Sequence, residues 1–162
     1  MRLSTPHAVF SAGPADVRVL AFDIGEKRVG VAMSDAGGTI ASPLTVLDAD
    51  AISKVTPVLD LIAEHEVALI VVGLPLTMAG DEGPQSARVR DAAGELARRV
   101  PIPLVYYDER LSSAQATRAM RSAGTSSKKA RGQVDKVAAA LFLQSYLDSR
   151  PPEILEHGRG TE

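Results

Sequence analysis

Val67-Ala-Leu-Ile-Val-Val-Gly73 is a continuous apolar run rich in β-branched residues. A short run of this kind is the mark of a central strand covered on both faces, where alternation of polar and apolar residues is not required. A chain built around such a strand needs helices above and below the sheet. The flanking segments supply them. Ile52, Val55, Leu59 and Ile62 recur at helical spacing before the run, and the helix they predict ends near His65. Pro57 either kinks that helix or sits in the first turn of one capped by Thr56. After the run, a polar loop from Leu74 to Gly83 leads to a helix opening at Pro84. That helix carries Val89, Ala93, Leu96 and Val100 on one face, places Glu95 to pair with Arg99, and is stopped by Pro101 and Pro103.

Upstream, Val17 to Ser34 reads as two strands joined by a tight turn, because apolar runs flank the polar, glycine-bearing segment Asp23 to Arg28. Ile40 to Leu47 follows Gly37-Gly38 as a third strand. Downstream, Leu104-Val-Tyr-Tyr-Asp108 is a fifth strand, and Ser112 or Ser113 can cap a helix to about Ser122. Residues 124–129 then connect to a last helix from about Gln133 to Asp148. The expected fold is an α/β domain over residues 17–149. Its five-stranded sheet is mixed, three antiparallel strands and then strands alternating with helices, and helices lie on both faces. Residues 1–16 and 150–162 are expected to be flexible extensions.

At 162 residues the chain is of ordinary single-domain size and can bury its own core. It has no cysteine, which excludes disulfides and thiolate metal sites, and no stretch long enough to span a bilayer. A cytoplasmic protein is expected. The net charge of −2 argues against extended coating of nucleic acid. Its distribution is uneven, however. From Arg110 to Lys136 stand Arg110, Arg118, Arg121, Lys128, Lys129, Arg131 and Lys136, seven of the 18 Lys and Arg, against the single acid Asp135. A local basic stretch of this kind fits a footprint of a few phosphates.

Functional groups in such sheets gather beyond the carboxyl ends of the strands. Asp23 ends the first strand, the loop from Gly73 to Gly80 leaves the fourth, and Asp108-Glu-Arg110 leaves the fifth. On the last helix, Asp135 shares a stripe with Ala138, Ala139, Phe142 and Tyr146, which turns a carboxylate toward the core. A first-turn acid favoured by the helix dipole would account equally well for Asp135 taken alone. Carboxylates from distant parts of the chain converging on one region repel unless a cation joins them, and all-oxygen ligands favour Mg²⁺ or Mn²⁺. None of the three histidines stands near the strand tips. A carboxylate site beside basic residues suits phosphodiester hydrolysis. Lys27, Arg28, Thr77, Arg110, Lys128, Lys129 and Arg131 are the candidate nucleic-acid contacts, the last three reading as a loop clamp. Arg110 could instead pair only with Asp108. With aromatics at 4% and no Trp, backbone or shape recognition is favoured over base stacking.

The blocks Phe22-Asp-Ile-Gly-Glu-Lys-Arg-Val-Gly-Val-Ala-Met-Ser-Asp35, Val72-Gly-Leu-Pro-Leu-Thr-Met-Ala-Gly80, Tyr107-Asp-Glu-Arg-Leu-Ser112 and Lys129 through Asp135 to Ala140 resemble the signature of the YqgF/RuvX family, in order, over roughly residues 17 to 148. That family is similar to the Holliday-junction resolvase RuvC and has an RNase H-like fold, and its members are described as pre-16S rRNA nucleases. The resemblance implies Asp23, Glu109 and Asp135 as metal-binding catalytic acids. It implies a structured nucleic acid as partner, pre-rRNA ahead of branched DNA, acted on by a monomer or homodimer. Thr77 replaces the family's usual Asn. Strand four ends in Gly-Leu-Pro-Leu where many RNase H-like nucleases have an acid, so Glu109 must serve from strand five. The alternatives are a junction-cleaving DNA endonuclease, a non-catalytic ribosome-assembly module, and a phosphotransferase of the actin or sugar-kinase type. The last needs a second such domain, for which this chain has no room.

Overall fold

The computed structural model describes residues 17–114, 117 and 128–149. The expected extensions, 1–16 and 150–162, lie outside them, as does most of the helix expected to end at Ser122. The strands are β1 (Arg18–Ile24), β2 (Arg28–Ser34), β3 (Ala41–Asp48), β4 (Val67–Leu74) and β5 (Leu104–Asp108). The helices are α1 (Asp50–Lys54), α2 (Thr56–His65), α3 (Pro84–Arg99) and α4 (Lys128–Ser149), with a 3-10 turn at Glu109–Leu111.

The sheet runs β3-β2-β1-β4-β5. β1 pairs antiparallel with β2 and parallel with β4; β2–β3 is antiparallel and β4–β5 parallel. The mixed sheet read from the residues is the one observed. β3 lies at an edge, which is why Pro43 is tolerated beside the register shift at Val31/Ala32.

Alternation divides the core in two. Leu20, Phe22, Val29, Val31, Ile70, Val72 and Leu104 point to one face, where Ile52, Val58, Ile62, Val89, Ala93 and Leu96 of α1 to α3 cover them. Val19, Ala21, Ala32, Val71, Val105 and Tyr107 point to the other, under Ala138, Ala139, Phe142, Leu143 and Tyr146 of α4. The stripe containing Asp135 therefore does face the sheet. β4 is buried along nearly its whole length, as its apolar run requires.

Four local expectations need correction. The helix around residue 55 is broken by Val55, whose φ of 63° interrupts it, so α2 begins at Thr56 with Pro57 in its first turn and no side-chain cap. Glu95 pairs with Arg98, not Arg99, at 2.6 Å. Arg99 instead donates to the Ser53 carbonyl, tying α3 to α1. The last helix is already formed at Lys128, so Lys128, Lys129 and Arg131 stand in helix and not in a loop. Asp135 then lies in the second turn, beyond the reach of the helix-dipole account.

Candidate active site

Asp23 is the penultimate residue of β1 and, by alternation from Val19 and Ala21, faces α4. Its partner on β2 is Gly30. On its other side, one step past the Phe22–Val72 pair, stands Gly73 of β4. Bare backbone thus flanks Asp23 on both sides, and its neighbours come in over it. A Cβ on Gly30 would collide with the Asp135 carbonyl group. One on Gly73 would lie 2.6 Å from the Phe142 ring and 3.0 Å from Glu109 Cγ. The two glycines let α4 and the 3-10 turn close onto the sheet, and so bring Asp135 and Glu109 to either side of Asp23.

All three acids are buried: Asp23 is 5% exposed, Glu109 1% and Asp135 2%. Charges at such depth need a compensating cation or hydrogen-bond donors. For Asp135 one partner is Arg28, the first residue of β2, whose Nε donates to Oδ2 at 2.8 Å. Three buried carboxylates make an oxygen donor set suited to a hard divalent cation. Among the described residues, no three His, Asp or Glu side chains already stand close enough together to share one. Asp135 Oδ2 is engaged by Arg28, a contact that competes with a metal for that oxygen.

Glu109 is placed by the turn that follows β5. Asp108 Oδ1 accepts the Arg110 N–H at 2.9 Å, while the Glu109 carbonyl accepts from the Ser112 N–H and Oγ. Ser112 Oγ in turn accepts the Ala114 N–H at 3.2 Å, as a cap does.

Arg110 makes the contact weighed second for it. Its guanidinium grips Asp108 through Nε at 3.0 Å and Nη2 at 2.6 Å, and Nη1 donates to the Met78 carbonyl at 3.3 Å. The guanidinium beside Asp108 holds that carboxyl below the usual carboxylate range, and Asp108 raises the Arg110 pKa in return. Arg110 thereby ties the β5 exit to the loop after β4.

Thr77 shapes that loop from within: its Oγ1 accepts the Asp81 N–H at 3.1 Å and its carbonyl accepts the Gly80 N–H at 2.8 Å. Lys27 is exposed in the β1–β2 turn. Lys128 and Lys129 are described by backbone alone.

Beside Asp135 opens a cavity of about 760 Å³, bounded by the β1–β2 turn, α1 and α3 and lined by Lys27, Arg28, Gln85, Arg88, Val89 and Asp135 among others. Gln85 and Arg88 were not among the residues singled out from the sequence. The signal available for them was their place in the first turns of the helix opening at Pro84. The Arg28–Asp135 pair, 107 residues apart, had no local signal at all.

A family model described as "RuvX: Holliday junction resolvase" matches residues 17–149. A Chloroflexus aurantiacus protein named "Putative pre-16S rRNA nuclease" is 43% identical over 136 residues, 83% of this chain and 89% of that one. A Streptomyces coelicolor protein of the same name is 38% identical over 169 residues, 99% of this chain and 98% of that one. Among solved structures, T. thermophilus RuvC in complex with a Holliday junction substrate superposes with a TM-score of 0.50 at 14% identity, covering 83% of this chain and 95% of that one. At that identity the likeness speaks to the fold, which is RNase H-like. The family match accounts for the Asp-Ile-Gly and Gly-Val-Ala string without a phosphotransferase, and the chain belongs to the RuvX family.

Proposed function

We propose that this chain is a divalent-metal-dependent nuclease that hydrolyses phosphodiester bonds of structured nucleic acid in the cytoplasm, with the 5′ end of pre-16S rRNA as its substrate. The observation that carries the reading is the burial of Asp23, Glu109 and Asp135 on one face at one end of the sheet. Relatives named for pre-16S rRNA support the choice of substrate.

In this reading Asp23, Glu109 and Asp135 would hold Mg²⁺ or Mn²⁺, which when bound activates water and stabilises the leaving oxygen. The rigid sheet fixes Asp23, Phe142 and Gly73 fix the approach of Glu109, and Gly30 fixes that of Asp135. Burial excludes bulk water and strengthens every charge interaction at the centre. Lys27, Arg28 and the basic residues opening α4 would meet phosphates, with Arg110 and Thr77 shaping the neighbouring loop.

The family description favours a second reading, cleavage of four-way DNA junctions. Symmetric cleavage of a junction requires a homodimer, whereas trimming an rRNA end can be done by a monomer. The test is to incubate the purified protein with Mg²⁺ or Mn²⁺ and either a 5′-extended 16S precursor RNA or a four-way junction. Asp23→Asn should lower the rate ~100-fold or more. Equal rates in the two proteins would remove the mechanism, and cleavage of the junction alone would select the second reading.

A further inference from the structure

Arg28 touches two things at once: the Asp135 carboxylate, and the cavity of about 760 Å³ that opens beside it. Its side chain is 13% exposed and that of Asp135 3%, so the ion pair sits in poorly solvated surroundings. A divalent cation drawn to Asp135 would supply the same compensation and would release the guanidinium. A released guanidinium at this depth needs a new anion. The cavity is where it can find one, because Lys27 and Arg88 also line it, alongside the acids Glu26 and Asp91. Arg88 is held across the turn by Glu26 at 3.1 Å, a pair exposed at both ends and therefore weak enough to yield to a phosphate.

We propose that this cavity is a phosphate subsite for the nucleic-acid backbone and that Arg28 is a positioning residue that exchanges partners, leaving Asp135 for the phosphate when a divalent cation takes the carboxylate. Metal and nucleic acid then help each other bind, since each removes the other's competitor, and the coupling is reciprocal. The inference rests on the reading of Asp135 as a metal ligand. It adds a specific obstacle to metal binding and names the group that lifts it.

The experiment is a Mn²⁺ titration by calorimetry, with and without a phosphorothioate RNA hairpin, on the full-length wild type, Arg28→Gln, Arg28→Lys and Lys27→Gln. Without RNA, Arg28→Gln should bind Mn²⁺ ~5-fold or more tightly than wild type, with Arg28→Lys between the two. Lys27→Gln removes an equal charge nearby and should change Mn²⁺ affinity much less, separating exchange from general electrostatics. RNA should tighten Mn²⁺ binding to the wild type and do so less in Arg28→Gln.

Equal or weaker Mn²⁺ binding by Arg28→Gln, or an equal gain in Lys27→Gln, overturns the exchange. Unchanged coupling to RNA overturns the phosphate subsite. If Arg28→Gln fails to fold, the sign of the Arg28→Lys effect decides. A wild type that binds Mn²⁺ but cleaves nothing would refute the nuclease reading and leave the exchange standing, whereas absence of Mn²⁺ binding in every protein would end both.

Discussion

Gly30 stands opposite Asp23 in the β1–β2 ladder, and the Asp135 carbonyl group occupies the space its side chain would fill. Because the obstructing atoms are backbone, they cannot turn aside. Gly30→Ala should therefore cost ~1–3 kcal/mol or more of stability, the range for overpacking a close contact. Urea denaturation measures it. The same substitution should push Asp135 outward and weaken Mn²⁺ binding, and wild-type values in both assays would show that α4 can give way.

Gly73 meets a side chain instead. A methyl group there would press on the Phe142 ring at 2.6 Å, so Gly73→Ala alone should destabilise by ~1–3 kcal/mol. Phe142→Leu, which withdraws part of the ring, should be less damaging in the Gly73→Ala background than in the wild type. A double-mutant cycle should give a coupling of at least ~0.5 kcal/mol. Strict additivity would mean that the two do not compete for one space.

Ser86 is wholly buried at the start of α3 and donates to the Pro75 carbonyl at 2.6 Å, holding the loop after β4 to the helix. Ser86→Ala leaves that carbonyl without its donor and should cost ~1–3 kcal/mol. Hydrogen exchange should quicken in residues 74–83 first, while the β1 and β4 amides keep their protection. Uniform quickening would show that the bond serves the whole domain and not the loop.

The pairing of Asp108 with Arg110 predicts a pH dependence. The folded carboxyl titrates below its unfolded value of about 3.9, so the pair stabilises fully above that value and is lost as the pH falls through the lower folded one. Both side chains are partly exposed, so solvent screening keeps the contribution small. The stability gap between wild type and Asp108→Asn should be constant from pH 7 to 5 and close below about pH 4. A gap that widens toward acid would contradict the sign.

The legible part of this chain was whatever a local pattern could encode. The apolar run of β4, the hairpin around Asp23 and the Asp135 to Tyr146 stripe all reached the expected places, because burial on one or both faces leaves a periodicity. Glu95 shows the limit of such patterns: residues three and four apart are both neighbours on a helix, and the choice of Arg98 over Arg99 was settled by the Ser53 carbonyl, which lies on another element. The expected start of α4 fell late because the Ser- and Gly-containing stretch before Lys128 reads as a connection. Asp23, Glu109 and Asp135 were singled out through family resemblance and strand ends, but the contact of Arg28 with Asp135 depends on the register of a strand against a helix that follows a hundred residues later. No window along the chain contains both.

That separation also sets an order in time. Synthesis proceeds from the amino terminus, and Asp23, Arg28 and Glu109 are all made before Asp135. The carboxylate that Arg28 holds arrives only when α4 docks over Gly30 and Gly73, after every strand of the sheet exists. A nascent chain therefore carries an incomplete set of acids. The proposed centre is incomplete until α4 has been made and has docked on the sheet.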